Sequence, residues 1–168
     1  MNAIVAVDSR WAIGREGGML FHLPEDLKYF LRMTRGKTLV MGRATLASLP
    51  GGRPLKDRRC IVLSRNEGLR IEGAEVLHSK EELARAVLGI PKNEVMLIGG
   101  ESLYRDLLPR CEKAYVTKIR AAAPDDRHFP NLDALPAWRL TEQGEEREEN
   151  GLRFAFCVYE NSSVEPLG

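Results

Sequence analysis

Cysteine is scarce in this sequence. Of 168 residues only Cys60, Cys111 and Cys157 are cysteines, an odd number with no close spacing, which excludes a disulfide framework and a zinc ribbon. They are expected to pack as small apolar residues in reducing surroundings. Histidine is equally scarce. His22, His78 and His128 are scattered, with no HExxH pair, so no metal site is expected. A charge excess is also missing: 25 basic and 24 acidic residues leave a formal +1, which gives no electrostatic reason to expect nucleic acid or an acidic membrane as partner. The longest uncharged apolar run, in "NAIVAV", is too short to cross a bilayer, and no secretory leader pattern precedes it. A soluble, cytoplasmic protein is therefore expected. There is no internal repeat and no linker. The length fits one domain, taken as residues 1–160 with a frayed tail at 161–168.

What is present is an alternation of two periods. "NAIVAVD", "KTLVMG", "RRCIVLSR", "AEVLH", "EVMLIGG" and "KAYVTKI" read as buried strands. Between them lie helical stretches. One opens at Pro24, with Glu25 and Asp26 in its first turn and Gly36 after its end. A second opens at Arg43. A third spans "SKEELARAVLG", with Ser79 and Glu82 spaced as a capping box and Gly89 closing it. A fourth, "ESLYRDLL", ends at Pro109. "SRWAIGREGG" reads as a mobile loop. "WRLTEQGEE" and "LRFAFCVYE" are joined across Asn150-Gly151, a hairpin signal, with Leu152, Phe154, Phe156 and Val158 alternating inward. Strands alternating with helices imply a largely parallel sheet covered on both faces and extended by this antiparallel hairpin.

Such sheets bind ligands at the carboxyl ends of their strands. Asp26, Gly42, Arg43, Ser64, Arg65, Gly99, Gly100 and Thr117 fall there or at the start of the following helix. Arginines after two strands and a glycine pair after a third point to a nucleotide, because absent side chains let backbone donors approach a phosphate. The GxGxxG fingerprint itself is absent, with Glu101 where another glycine would stand. "GES" at residues 100–102 lacks the closing glycine of a nucleophile elbow. Asp26 admits two readings. An acid in a first helical turn commonly complements the macrodipole. Yet Phe30 and Met33 continue its face at i+4 and i+7, and a carboxylate on an apolar face suits a ligand that presents a pair of N–H donors.

Seven blocks, "LPEDLKYF", "VMGRATLASL", "RPLKDR", "IVLSR", "LIGGESLY", "YVTKI" and "DRHFP", resemble dihydrofolate reductases in order and spacing, and the resemblance spans Ala3 to Glu160. It implies an α/β fold with a central, mostly parallel eight-stranded sheet, a C-terminal antiparallel hairpin and about four helices. It further implies NADPH-dependent reduction of dihydrofolate to tetrahydrofolate, which supplies one-carbon carriers for thymidylate, purine and amino-acid synthesis. The substrate would be a small molecule, and a monomer is expected.

By the same resemblance, Asp26 matches the single active-site acid that pairs with the pterin, and Thr117 the threonine bonded behind it. Phe21 is grouped with them as the catalytic wall. Phe30 matches the aromatic side of the pterin pocket, with Leu27, Leu49 and Leu55 as further contacts. Arg58 matches the arginine that holds the α-carboxylate of the glutamate tail, a geometry suited to guanidinium. Ile4, Val5 and Ala6 border pterin and nicotinamide, and so does Ile98. Ala6 and Ile13 address the carboxamide. Gly14 to Met19, including Gly18, matches the loop that closes over the site. Gly42, Arg43, Ala44 and Thr45 match the first phosphate turn, and Leu63, Ser64 and Arg65 the adenosine end. Gly99, Gly100, Glu101, Ser102, Leu103 and Tyr104 match the second turn. Arg43 and Arg65 would favour NADPH over NADH.

Several positions depart from the family pattern. Phe21 stands where most bacterial members carry tryptophan, Leu20 replaces the preceding proline, and Ala44 and Ser102 replace side chains that often meet cofactor phosphates. A reductase of riboflavin synthesis with the same fold is a rival reading, disfavoured by "LPEDL" and Arg58.

Overall fold

In the computed structural model, residues 1–14, 23–125 and 127–167 are described. Six strands run parallel: β1 (Asn2–Val7), β3 (Thr38–Gly42), β4 (Arg59–Leu63), β5 (Ala74–Leu77), β6 (Val95–Gly99) and β7 (Lys113–Ile119). The antiparallel strand β11 (Leu152–Asn161) joins β7 and carries β10 (Arg147–Glu149) on its other side, and the spatial order is β10-β11-β7-β1-β6-β3-β4-β5. The parallel strands read as unbroken apolar runs because both faces of the sheet are buried. Alternate residues of one strand enter different cores. Val40, Ile61 and Leu97 pack with Leu83, Tyr104 and Leu107 on one face. Leu39, Met41, Cys60, Val62, Met96 and Ile98 pack with Leu46 on the other, joined there by Tyr29, Phe30 and Met33. The helices α3 (Lys80–Ala86) and α4 (Glu101–Leu107) thus cover one face, and α1 (Pro24–Thr34) and α2 (Arg43–Ser48) the other. The cysteines are free and buried, and burial pushes the Cys111 thiol up to about 12.

The eight positions across the sheet are filled by nine strands. β10 (Arg147–Glu149) and β9 (Trp138–Gln143) follow one another along the same edge of β11. Gly144 lies at the break, where its N–H donates to Phe156 O (2.9 Å) and a Cβ would stand 2.6 Å from that oxygen. Asn150 and Gly151 both have positive φ and turn the chain between β10 and β11, as the hairpin signal requires.

Two expectations are corrected. Within "SRWAIGREGG", Ala12–Gly14 is a strand, β2, paired with β8 (Arg127–His128); three residues are too few to show a period. β11 does not bury a single face, since Cys157 and Tyr159 are buried opposite Phe154. In the tail at 161–168, where fraying is expected, Ser162 N donates to Ala137 O (2.8 Å), Glu165 N donates to Pro109 O (3.0 Å), and Leu167 packs on the larger core. At α3 the Ser79 hydroxyl accepts from Glu82 N (3.1 Å), while the Glu82 carboxylate reaches His78 N rather than the cap residue's own amide.

Candidate active site

The helices that follow β3 and β6 leave toward opposite faces of the sheet, although the two strands are neighbours. That divergence opens a crevice at the carboxyl ends of the central strands. Its walls come from the first strand (Ile4, Val5, Ala6), from β2 (Ile13, Gly14), from α1 (Asp26, Leu27, Phe30) and from α2 with the turn after it (Ala44, Thr45, Ser48, Leu49, Pro50). Ile98, Gly99, Gly100, Glu101, Tyr104, Thr117 and Arg127 complete the lining.

Asp26 sits in this cleft because of how α1 begins. Pro24 occupies the first helical position, where its missing donor costs nothing. From there the helix turns Asp26, Phe30 and Met33 inward, and Phe30 and Met33 pack on the core. Asp26 is 8 % exposed. The Thr117 hydroxyl on β7 donates to Asp26 Oδ1 at 2.6 Å. β7 is held beside β1 in a register that pairs Thr117 with Ala6, so the hydroxyl is fixed by the ladder. Burial raises the Asp26 pKa above its ordinary 3.8, and the Glu149 charge raises it further, while the Thr117 hydrogen bond works the other way. A carboxylate has more acceptor positions than one hydroxyl fills, so Asp26 can receive a pair of donors from a ligand in the cleft.

The other half of the cleft is a glycine cradle. β3 ends at Gly42 and β6 at Gly99, and the Gly99-Gly100 peptide is cis. A Cβ on Gly99 would meet the Tyr104 ring at 3.2 Å and Thr45 Oγ1 at 3.3 Å, and one on Gly100 would meet Thr45 Oγ1 at 3.4 Å. The N-cap residues of α2 and α4 are Gly42 and Gly100, neither with a side-chain cap. Their first-turn donors therefore suit an anionic group. Tyr104 ties the cradle to the first strand by donating to Ile4 O at 2.7 Å, fully buried. Tyr104→Phe would leave that carbonyl without its donor, and a loss of about 1–3 kcal/mol is expected in denaturant unfolding; an unchanged midpoint would show that another group satisfies it.

Glu101 does not leave a bare carboxylate beside the cradle. Its Oε2 accepts from His128 N (2.6 Å) and its Oε1 faces Arg105 (3.6 Å).

Several expected positions are placed outside the cleft lining. Leu55 packs on the core beside Phe30. Arg58 donates from Nε to Thr34 Oγ1 (3.2 Å), from Nη1 to Lys56 O (2.6 Å) and from Nη2 to Leu31 O (2.5 Å). Three of its five N–H groups are thereby used to lock the guanidinium at the end of α1, and one remains on each terminal nitrogen. Gly42, Arg43, Leu63, Ser64 and Arg65 lie along the ends of β3 and β4, brought together by the pairing of Gly42 with Leu63. Arg43, Arg65 and Ser102 are exposed, and Leu103 packs on the larger core. Phe21, Gly18 and Met19 lie outside the described residues, as does Leu20.

Ser48, Pro50 and Arg127 line the cleft without having been singled out. Ser48 was within reach, being four and three residues beyond Ala44 and Thr45 on one helix. Arg127 arrives only through the pairing of β8 with β2, opposite Gly14, which no local pattern announces.

Comparison with known proteins agrees with this architecture. The family model described as dihydrofolate reductase matches residues 1–161. A dihydrofolate reductase of Bacillus subtilis is 36 % identical over 167 residues, covering 98 % of this chain and 96 % of that one. A type 3 dihydrofolate reductase of Salmonella typhimurium is 40 % identical over 143 residues, 85 % of each chain. Among solved structures, the Enterococcus faecalis dihydrofolate reductase complexed with NADP(H) and RAB-propyl superposes with a TM-score of 0.83 at 36 % identity, covering 95 % of both chains. The chain belongs to the dihydrofolate reductase family.

Proposed function

We propose that this protein reduces 7,8-dihydrofolate to 5,6,7,8-tetrahydrofolate with NADPH as the electron donor. The observation that carries the reading is the buried Asp26 carboxylate, backed by Thr117 at 2.6 Å and facing the same cleft as the glycine cradle. The residues present fit a dinucleotide: side-chain-free backbone at Gly99 and Gly100, uncapped helix starts at α2 and α4, and arginines at the ends of β3 and β4. When bound there, NADPH supplies a hydride for the imine carbon of the pterin.

The chain's own residues do the rest. Asp26 accepts from the amino group and ring nitrogen of the pterin and thereby fixes its orientation. Thr117 holds the carboxylate in one direction. Phe30, Leu49 and Ile98 exclude water from the ring that must gain a proton on its nitrogen as the adjacent carbon is reduced. A negative group in so dry a place favours protonation of its ligand, because charge interactions are strongest where solvent is excluded. Arg58, with its two remaining N–H groups, suits the carboxylate of the glutamate tail. Ala6 and Ile13 border the nicotinamide, and Arg43 with Arg65 suits the ribose phosphate of NADPH. Every wall of the cleft comes from elements within residues 1–160, which supports a single domain working as a monomer. Buried free thiols accord with a reducing, cytoplasmic setting, and no helix among the described residues is long and apolar enough to cross a membrane.

The test is direct. Mixing the protein with NADPH and dihydrofolate is expected to bleach reduced-nicotinamide absorbance, with no such loss when a ribosyl-pyrimidine replaces the folate. Turnover of the ribosyl-pyrimidine alone would overturn the reading.

A further inference from the structure

Leu23 stands at the N-cap of α1 without a side-chain cap, so the first-turn donors of the helix that carries Asp26 need partners from elsewhere. One comes from far along the chain. The backbone N–H of Glu25 donates to Glu149 Oε1 at 2.9 Å. Two residues earlier on β10, Arg147 Nη1 donates to Glu25 Oε1 at 2.6 Å, and its guanidinium lies 5.1 Å from the centre of the Phe156 ring. The hairpin of β10 and β11 therefore grips the first turn of α1 by backbone and side chain together.

The two acids in this grip have different surroundings. The Glu25 carboxylate is paired with Arg147, whereas the Glu149 carboxylate lies on the positive end of the helix. That positive end would by itself favour the Asp26 anion. A carboxylate placed on the same donors opposes it. Among the described residues, the groups acting on Asp26 are the Thr117 hydroxyl from β7 and the Glu149 charge from β10, with the Tyr29 phenol on its own helix. Tyr29, on its own helix, has its phenol pushed by burial up to about 12 and is uncharged at neutral pH. Burial of Asp26 and the nearby Glu149 charge both raise its pKa, against the Thr117 hydrogen bond.

We propose that Glu149 is a positioning residue for the reaction: from the hairpin it holds the first turn of α1 in place through Glu25 N and sets a second negative charge at the start of the helix that carries Asp26, adding to the field that favours a proton on the ligand. This rests on Asp26 being the active-site acid, and it adds a part of the molecule that touches neither pterin nor nicotinamide.

Two variants separate the parts of the proposal. Glu149→Gln keeps an oxygen that can accept from Glu25 N but removes the charge. The falling, alkaline limb of the kcat profile is expected to move to lower pH. At the pH where the parent keeps half its maximal rate, the variant should be about threefold slower, with a melting temperature within about a degree of the parent. A carbon-13 titration of the Asp26 carboxyl in the ligand-free protein should move in the same direction. Glu149→Asp keeps the charge on a shorter stem, so its pH limb should stay near the parent's while its melting temperature falls. A Glu149→Gln limb that superimposes on the parent's overturns the proposal and leaves the reading of Asp26 standing. Absence of dihydrofolate reduction in the parent overturns that reading instead, and the carboxyl titration then decides the Glu149 effect alone.

Discussion

Asp26→Asn is expected to cut turnover at neutral pH by about a hundredfold or more while leaving the fold and NADPH binding intact. The amide still accepts from Thr117 through its oxygen, so the contact now made at 2.6 Å survives in kind. What is lost is the negative charge that favours a proton on the ligand. The same change should stabilise the ligand-free protein. A carboxyl whose pKa is higher folded than unfolded binds more protons in the native state between the ordinary value of 3.8 and its raised value. Folding stability therefore falls as pH rises through that window, and above it the folded protein carries the full cost of the buried anion. The variant escapes that cost. Melting temperatures should accordingly be similar below the ordinary carboxylate range and diverge, with Asp26→Asn the higher, as pH rises. Near-parental neutral activity in the variant would refute the role given to Asp26, and parallel melting curves across pH would refute the account of its burial.

Gly99→Ala is expected to damage both the fold and the cofactor site. Gly99 has φ +125°, a conformation that L side chains rarely adopt, and the added methyl would press on the Tyr104 ring at 3.2 Å and on Thr45 Oγ1 at 3.3 Å. Backbone strain of this kind costs on the order of 1–3 kcal/mol. The first of these neighbours does not yield cheaply. Tyr104 is buried and tied to Ile4 O, so displacing it breaks a hydrogen bond that no solvent replaces. A fall of roughly 5–15 °C in melting temperature follows for a chain of this length. NADPH should also bind at least about tenfold more weakly, as read by nicotinamide fluorescence, because the methyl and the shifted Tyr104 narrow the approach to backbone donors. A variant that melts like the parent and binds NADPH equally well would show that Gly99 is not needed for close approach.

The parts of this molecule that were legible in the sequence are those whose signal is local. Six parallel strands could be read because burial on both faces removes polar residues from whole segments such as Leu39 to Met41 and Met96 to Ile98. Asp26 could be read because an acid at i with Phe30 and Met33 at i+4 and i+7 is a contradiction on an apolar face, and contradictions of that kind collect at functional sites. The illegible parts depend on pairing between distant segments. The contact of β2 with β8, which brings Arg127 to the cleft, joins residues 113 positions apart at Gly14 and Arg127. Glu149 gave no sign of itself in "GEEREEN", where it is one acid among several, because its meaning lies in the backbone amide of Glu25. The sequence marks Arg58 as a holder of a carboxylate but not its donations to Leu31, Thr34 and Lys56, which the fold alone brings within reach.

The concealment of Cys60, Cys111 and Cys157 has a practical corollary. Thiolate, the nucleophilic form, is suppressed by burial at every one of them, so alkylating reagents find no target while the native packing lasts. Incorporation of such a label would therefore act as a clock for excursions that open the interior, and a bound ligand that slows the clock would reveal its grip on the scaffold without any need for catalysis.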